Sequence, residues 1–248
     1  MSWADTQTSL LVHVQESLDE SRLLSCEYFV KLLHGTLSCD LFARTQIQFF
    51  YAVRYFSRPM AALAARIPDS ASRQSLVQNL SEEHGLDDDH EIDANGLRSS
   101  KFEPDMAHDQ TFLEFLHRLG VRRDEVLNSR PGSAVLAFNN GLWGVCASES
   151  IPFAFAALGA IEYAFADISA LIGRRVVESG WITEGELIHY KLHAEIDKRH
   201  AGDFFQSIER DWRGDSHHRT EICSGIDLGI YMFRRLYEDM LIEAEVEE

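Results

Sequence analysis

Apolar residues in this chain recur at intervals of three and four and almost nowhere at two, as in LVHVQESLDESRLL, FLEFLHRLG and IDLGIYMFRRLYEDMLIEA. That period lines one stripe of an α-helix and does not fit half-buried strands, so the fold class is all-α. Five prolines and fifteen glycines in 248 residues leave the helices long. The pattern predicts helices over 8–33, 39–67, 70–85, 106–119, 132–148, 151–178, 183–211 and 216–243. NGLRSSKFEPD at 95–105 has loop composition, and NSRPGS and DWRGDS read as turns. A chain of this length with seven or eight long helices and no internal repeat is expected to form one bundle domain spanning 1–248, with its chemistry between facing helices.

A formal charge of −17 argues against nucleic acid or an anionic membrane surface as partner, since both would repel the chain at long range. MSWADTQTSLLVHVQ has no charged-then-apolar signal pattern, and the apolar run IPFAFAALGAI is about half of what a bilayer needs, so a soluble, cytoplasmic protein is expected. Cys26, Cys39, Cys146 and Cys223 are far apart and form no CxxC pair, which indicates reduced thiols.

LIHYKLHAEIDKRHAGDFF at 187–205 concentrates three of the eleven histidines. On a helix, positions 193, 197 and 200 fall at about 0, 40 and −20 degrees, so His193, Asp197 and His200 share a face. Two imidazoles and a carboxylate suit non-haem iron or manganese, whereas a structural zinc site would more often bring thiolates. The competing reading is a solvated polar face, because EIDKRH is rich in ordinary surface charge. His189 lies at the outer end as a supporting or surface group, and Glu195 is a bystander.

Other helices must supply the remaining ligands. Glu162 is a lone carboxylate in FAFAALGAIEYAFADISALI, and such a group is usually paired, protonated or metal-bound, because burying it unpaired costs several kcal/mol. NLSEEHGLDDDH offers Glu83 and His90, seven apart, although its acidic run also reads as an exposed helix end. MAHDQTFLEFLHRLG places His108 in the first turn of another helix. Carboxylates and histidines on facing helices are the ligand pattern of di-iron and di-manganese bundles. Three carboxylates against two divalent ions leave room for an anionic ligand.

With these residues the chain resembles the haem-oxygenase-like di-metal oxidases and oxygenases over most of its length. The motifs that carry the resemblance are Asn79 with Glu83 in an N-L-x-x-E helix, His108 ahead of LGV at 119–121, Glu162 in an apolar helix, and His193-x3-Asp197-x2-His200. The resemblance implies a haem-oxygenase-like bundle. It also implies a metal site of Glu83, His108, Glu162, His193, Asp197 and His200, with Glu83, Glu162 and Asp197 as the catalytic carboxylates. His90 is the alternative to His108: His108 keeps the twelve-residue spacing to Gly120 found in relatives but stands twenty-five after Glu83, and His90 keeps a helical spacing to Glu83 but loses the downstream match. With His108 as ligand, the stretch near 86–106 becomes an insertion expected to be mobile.

The family uses two Fe(II) ions, or a manganese–iron pair, with O2 as co-substrate. Its reactions are N-oxygenation or oxidative cleavage of amino acids, decarboxylation of medium-chain fatty acids, and self-sacrificing p-aminobenzoate formation, the first two mostly in natural-product pathways. For that last activity the sacrificed Tyr aligns with Phe29, with Tyr28 one position off, and a required Lys matches Ile172. Both departures count against it. In QIQFFYAVRYFSRPM, Tyr51 and Tyr55 share one face and Arg54 and Arg58 another, so these four are the expected substrate-binding residues, an arginine clamping a carboxylate. The competing reading there is core aromatics with surface arginines. A small-molecule substrate and a homodimer are expected.

Two rivals predict something else. A metal-independent thiaminase II or pyrroloquinoline-quinone-synthase relative on the same scaffold would need a nucleophilic cysteine, for which Cys146, sixteen residues before Glu162, is the candidate. A non-enzymatic helical interaction protein predicts no stoichiometric iron.

Overall fold

The structure, a computed structural model, describes residues 3–86, 91–92, 98–99, 102–214 and 216–246. The α-helices are α1 Trp3–Ser21, α2 Glu27–Leu33, α3 Cys39–Arg66, α4 Ser70–Glu83, α5 His108–Arg118, α6 Arg123–Asn128, α7 Ser133–Ser148, α8 Ile151–Glu178, α9 His189–Ser207, α10 Glu209–Trp212 and α11 Ser216–Val246. The all-α expectation holds: the strand content of the described residues is a two-residue antiparallel pair, β1 Glu91–Ile92 with β2 Arg98–Ser99, and a single antiparallel bridge between Leu86 and Phe102.

Three helix boundaries differ from the sequence expectation. The first helix breaks at Arg22, which takes a left-handed φ of 54°, so 8–33 becomes α1, a short 3-10 turn and α2. The helix expected from 183 begins at His189, because Thr183 and Glu186 close a capping box over a separate 3-10 turn. It ends at Ser207, and a new short helix follows Ile208. Helix α6 was not anticipated; its six residues are too few to show a period.

Helix α8 is the axis of the bundle. Its apolar residues face all round rather than along one stripe, which requires neighbours on every side. It is long and apolar enough to cross a membrane, but 83% of that apolar window is buried inside the bundle. Helix α11 approaches it where a side chain would not fit: a Cβ on Gly225 would lie 2.4 Å from the Phe153 carbonyl oxygen, and one on Gly229 2.6 Å from that of Ala157. On another side α9 packs Phe204 and Phe205 against α8, with the Phe155 and Phe204 ring centroids 5.8 Å apart. Ser38, Asp69 and Ser150 cap α3, α4 and α8 by accepting from backbone amides.

Candidate metal centre

Four helices bring the anticipated ligands together, and two of those ligands sit at helix ends. Glu83 is the last residue of α4, and His108 is the first of α5. A carboxylate at a C-terminus and a histidine at an N-terminus both oppose the helix macrodipole, at about 0.3–1 kcal/mol each when charged. They meet through Gly85, whose φ of +81° turns the chain out of α4 and whose carbonyl accepts from Glu103 N at 2.8 Å. The turn is too tight for a side chain, since a Cβ on Gly85 would stand 2.3 Å from the Glu103 carbonyl oxygen. His108 Nδ1 then lies 2.9 Å from Glu83 Oε1. His90 lies outside the described residues, so the site is described with His108.

The α9 contribution follows from helical spacing alone. His193, Asp197 and His200 are 5%, 0% and 1% exposed, whereas Glu195 on the opposite side is exposed. The solvated-face reading of this stretch is therefore overturned. Asp197 Oδ1 is 2.9 Å from His193 Nδ1 and 4.0 Å from His200 Nδ1, and Glu162 Oε2 reaches 3.9 Å from the same His200 nitrogen. One ligand atom each from Glu162, Asp197 and His200 lie within 4.8 Å of one another. The His108 and His193 ring centroids are 4.4 Å apart, joining this group to the Glu83–His108 pair.

Two further residues belong to the site. His189 is fully buried, its ring centroid 4.2 Å from that of His193 and its Nδ1 2.9 Å from Thr111 Oγ1. It supports the cluster and is not a surface group. Glu82, which sequence reasoning passed over as part of an acidic run, has Oε2 2.8 Å from His200 Nε2.

The cluster splits its protonation states strongly. Burial, reinforced by Asp197, pushes the Glu162 carboxyl up to about 7, and burial drives Asp197 well above the usual range. Burial and then the neighbouring His108 pull His193 down to about 3. His200 goes the other way, to about 10: burial alone would lower it, but the Glu162 and Glu82 carboxylates outweigh burial. Glu83 and His108 form an opposed pair, each overcoming its desolvation through the other's charge, so that the carboxyl falls and the imidazole rises. Divergence of this kind within one buried cluster is a feature of functional sites.

Several buried atoms have no hydrogen-bond partner among the described residues: His193 Nε2, Asp197 Oδ2, His200 Nδ1 and His189 Nε2. His108 Nδ1, although close to Glu83, is not aligned for a hydrogen bond. Each such atom costs about 1–3 kcal/mol unless something satisfies it. Imidazole lone pairs and carboxylate oxygens converging without protein donors fit divalent iron.

A cavity of about 40 Å³ adjoins the cluster. Its polar lining is Glu83, His108, Glu162 and His193; the rest is Phe49, Ala52, Val53, Phe56, Phe138, Ile161, Phe165 and Phe233. Only Val53 and Phe56 are half-buried, marking where the cavity approaches solvent. The expected substrate-binding residues are not there. Tyr51, Arg54, Tyr55 and Arg58 line a separate cleft of about 420 Å³ on the opposite face of α3. The Tyr51 hydroxyl donates to backbone carbonyls of Val126 and Ser129, and both arginines are exposed, with Arg58 over the Tyr55 ring. The reason is the register of α3: its inward face is the Phe49, Ala52, Val53, Phe56 stripe, which the sequence carried at 0, 3, 4 and 7.

Cys146 is fully buried away from this cavity, and burial pushes its thiol up to about 12, the opposite of an activated nucleophile.

The sequence pattern of iron-containing redox enzymes matches residues 44–233. The chain belongs to the iron-containing redox enzyme family. Within this family setting, a 4-aminobenzoate synthase of Chlamydia muridarum is 21% identical over 230 residues, covering 92% of this chain and 90% of that one. Among solved structures, a domain of unknown function with a heme oxygenase-like fold from Shewanella denitrificans superposes with a TM-score of 0.73 at 13% identity, covering 100% of this chain and 95% of its own. A TenA homologue from Pseudomonas syringae gives 0.70 at 15%, covering 95% and 92%. At these identities the structural matches establish the heme oxygenase-like fold and nothing finer.

Proposed function

We propose that this iron-containing redox enzyme is an O2-dependent non-haem di-iron oxidase or oxygenase that acts on a small metabolite. The observation that supports this is the convergence of Glu83, His108, Glu162, His193, Asp197 and His200, several with unpartnered buried atoms, beside one apolar cavity. Glu83, His108 and His193 would hold one ion and Asp197 and His200 the other, with Glu162 between, since it lines the cavity and also groups with Asp197 and His200. Two ferrous ions there would supply the O2-binding site and the electrons for the oxidation. The chain's own residues do the rest. Asp197 engages His193 Nδ1, which leaves Nε2 for a ligand bond. The phenylalanine wall keeps water from the cluster and strengthens every charge interaction inside it.

Among the described residues no lysine or arginine lines the cavity, which supports an apolar group as the part of the substrate that reaches the cluster. A medium-chain acyl group suits such a wall better than a free amino acid, whose ammonium would be buried with only the cluster for company. The test is anaerobic loading with Fe(II), which should give close to two ions per chain, followed by O2 consumption with fatty acids and amino acids as candidate substrates. Replacing His200 with Ala should abolish that consumption, and unchanged turnover would sink the assignment.

The name of the chlamydial relatives favours a second reading, formation of 4-aminobenzoate from the protein's own tyrosine. Tyr28 is fully buried and donates to Thr45 Oγ1, whose own proton goes to the Phe42 carbonyl, while Gln46 Nε2 donates to the Tyr28 oxygen. Its phenol is thus engaged, and the buried Ile172 offers no amine. Mass spectrometry after iron loading and O2 exposure is expected to show an intact chain and no 4-aminobenzoate.

A further inference from the structure

We propose that Glu82 is a positioning residue that fixes His200 to bind metal through Nδ1, the opposite ring nitrogen to the one His193 offers. The proposal rests on the metal-binding reading above. Glu82 and Glu83 are adjacent on α4 and so point about 100° apart: Glu83 lines the cavity, while Glu82 reaches across to α9. There its Oε2 lies 2.8 Å from His200 Nε2, and the Arg199 guanidinium donates to both its oxygens, at 2.8 and 2.5 Å.

An ionised carboxylate only accepts, so Nε2 keeps its proton and Nδ1 is the ring nitrogen that can give up its proton to a metal ion. The Arg199 guanidinium, donating to both oxygens, is the counter-charge of an ionised Glu82 carboxylate. His200 Nδ1 is the atom left without a partner, facing Glu162 and Asp197 at 3.9 and 4.0 Å. In His193 the pattern is reversed, with Nδ1 tied to Asp197 at 2.9 Å and Nε2 unpartnered. A carboxylate behind a ligating imidazole fixes its tautomer and raises its basicity, and losing such a partner typically lowers metal affinity by about 10–100-fold. Arg199 is half-exposed and binds Glu82 through both nitrogens, so it holds that carboxylate in place from the solvent side.

The experiment is a Co(II) titration of apoprotein by visible absorption, with proton NMR of the loaded protein to find the slowly exchanging imidazole N–H. Wild type should bind close to two ions and show the His200 N–H. Glu82→Gln, which keeps an acceptor in place, should keep that resonance and lose less than tenfold in affinity for the weaker ion. Glu82→Ala should lose the resonance to fast exchange, lose 10–100-fold in affinity and change the absorption bands. If wild type binds no Co(II), the metal-binding reading fails and this proposal with it. If wild type binds and Glu82→Ala keeps its affinity, bands and N–H, only the role of Glu82 is overturned; where the Ala variant does not fold, Glu82→Leu, which fills the same space without an acceptor, takes its place with the same expected losses and the same overturning result.

Discussion

The two halves of the cluster are built by different means. His193, Asp197 and His200 stand on successive turns of one nineteen-residue helix, so their relative placement is set by α-helical geometry. Glu83 and His108 hang from the end of one helix and the start of another, and they meet only because the chain folds tightly at Gly85. The first half is rigid by construction, whereas the second depends on a turn. Damage at the turn should therefore cost one ion, and damage on the helix should cost the whole site.

The largest effect tests the helical half. Asp197→Ala should abolish O2 consumption and leave no stoichiometric iron bound. It should leave the metal-free melting temperature little changed, because losing a buried acid whose Oδ2 has no partner offsets losing its contact with His193. The metal-dependent rise in melting temperature should vanish with it; for an ion at a hundred times its Kd that rise is about 2.7 kcal/mol, or about 5–10 °C in a chain of this size. Next, Gly85→Ala adds a Cβ where φ is +81° and the Glu103 carbonyl stands in the way, at a cost of at least 1–2 kcal/mol by the usual left-handed penalty. Iron analysis should then find about one ion, retained by the α9 half; two ions would show that the turn does not position Glu83 and His108. Smaller again, Ala52→Leu fills the cavity and should reduce substrate-dependent O2 uptake roughly tenfold with iron content intact. At the small end, the Arg54→Ala, Arg58→Ala double variant should change KM by less than about twofold, because both arginines lie on the far side of α3.

The same contrast explains what the sequence could and could not convey. The spacing of His193, Asp197 and His200 implies a shared face as soon as the segment is helical, and Glu162 is conspicuous by its apolar flanks. Whether His90 or His108 faces Glu83 is not a matter of spacing, since it turns on how two helix ends are brought together. Glu82 was hidden by its neighbours, because in a run of acids nothing local tells which carboxylate crosses to another helix. Tyr51, Arg54, Tyr55 and Arg58 carry the more conspicuous chemistry of α3 but lie on its outward side. The stripe Phe49, Ala52, Val53, Phe56 was in the same segment and showed which side faces inward. Arg22, a non-glycine residue in left-handed geometry, gave no sign that a helix would stop there.

Helix α11 donates nothing to the cluster, yet it governs where the cluster sits. With Gly225 and Gly229 seated on the carbonyls of Phe153 and Ala157, α8 cannot slide along its own axis without colliding with α11. Glu162 lies five residues beyond Ala157, about 7.5 Å further along that axis. The final helix therefore acts as a ruler: it sets the height at which the central carboxylate meets the histidines of α9. A bulkier residue at Gly229 would change the reach of Glu162 without altering a single ligand.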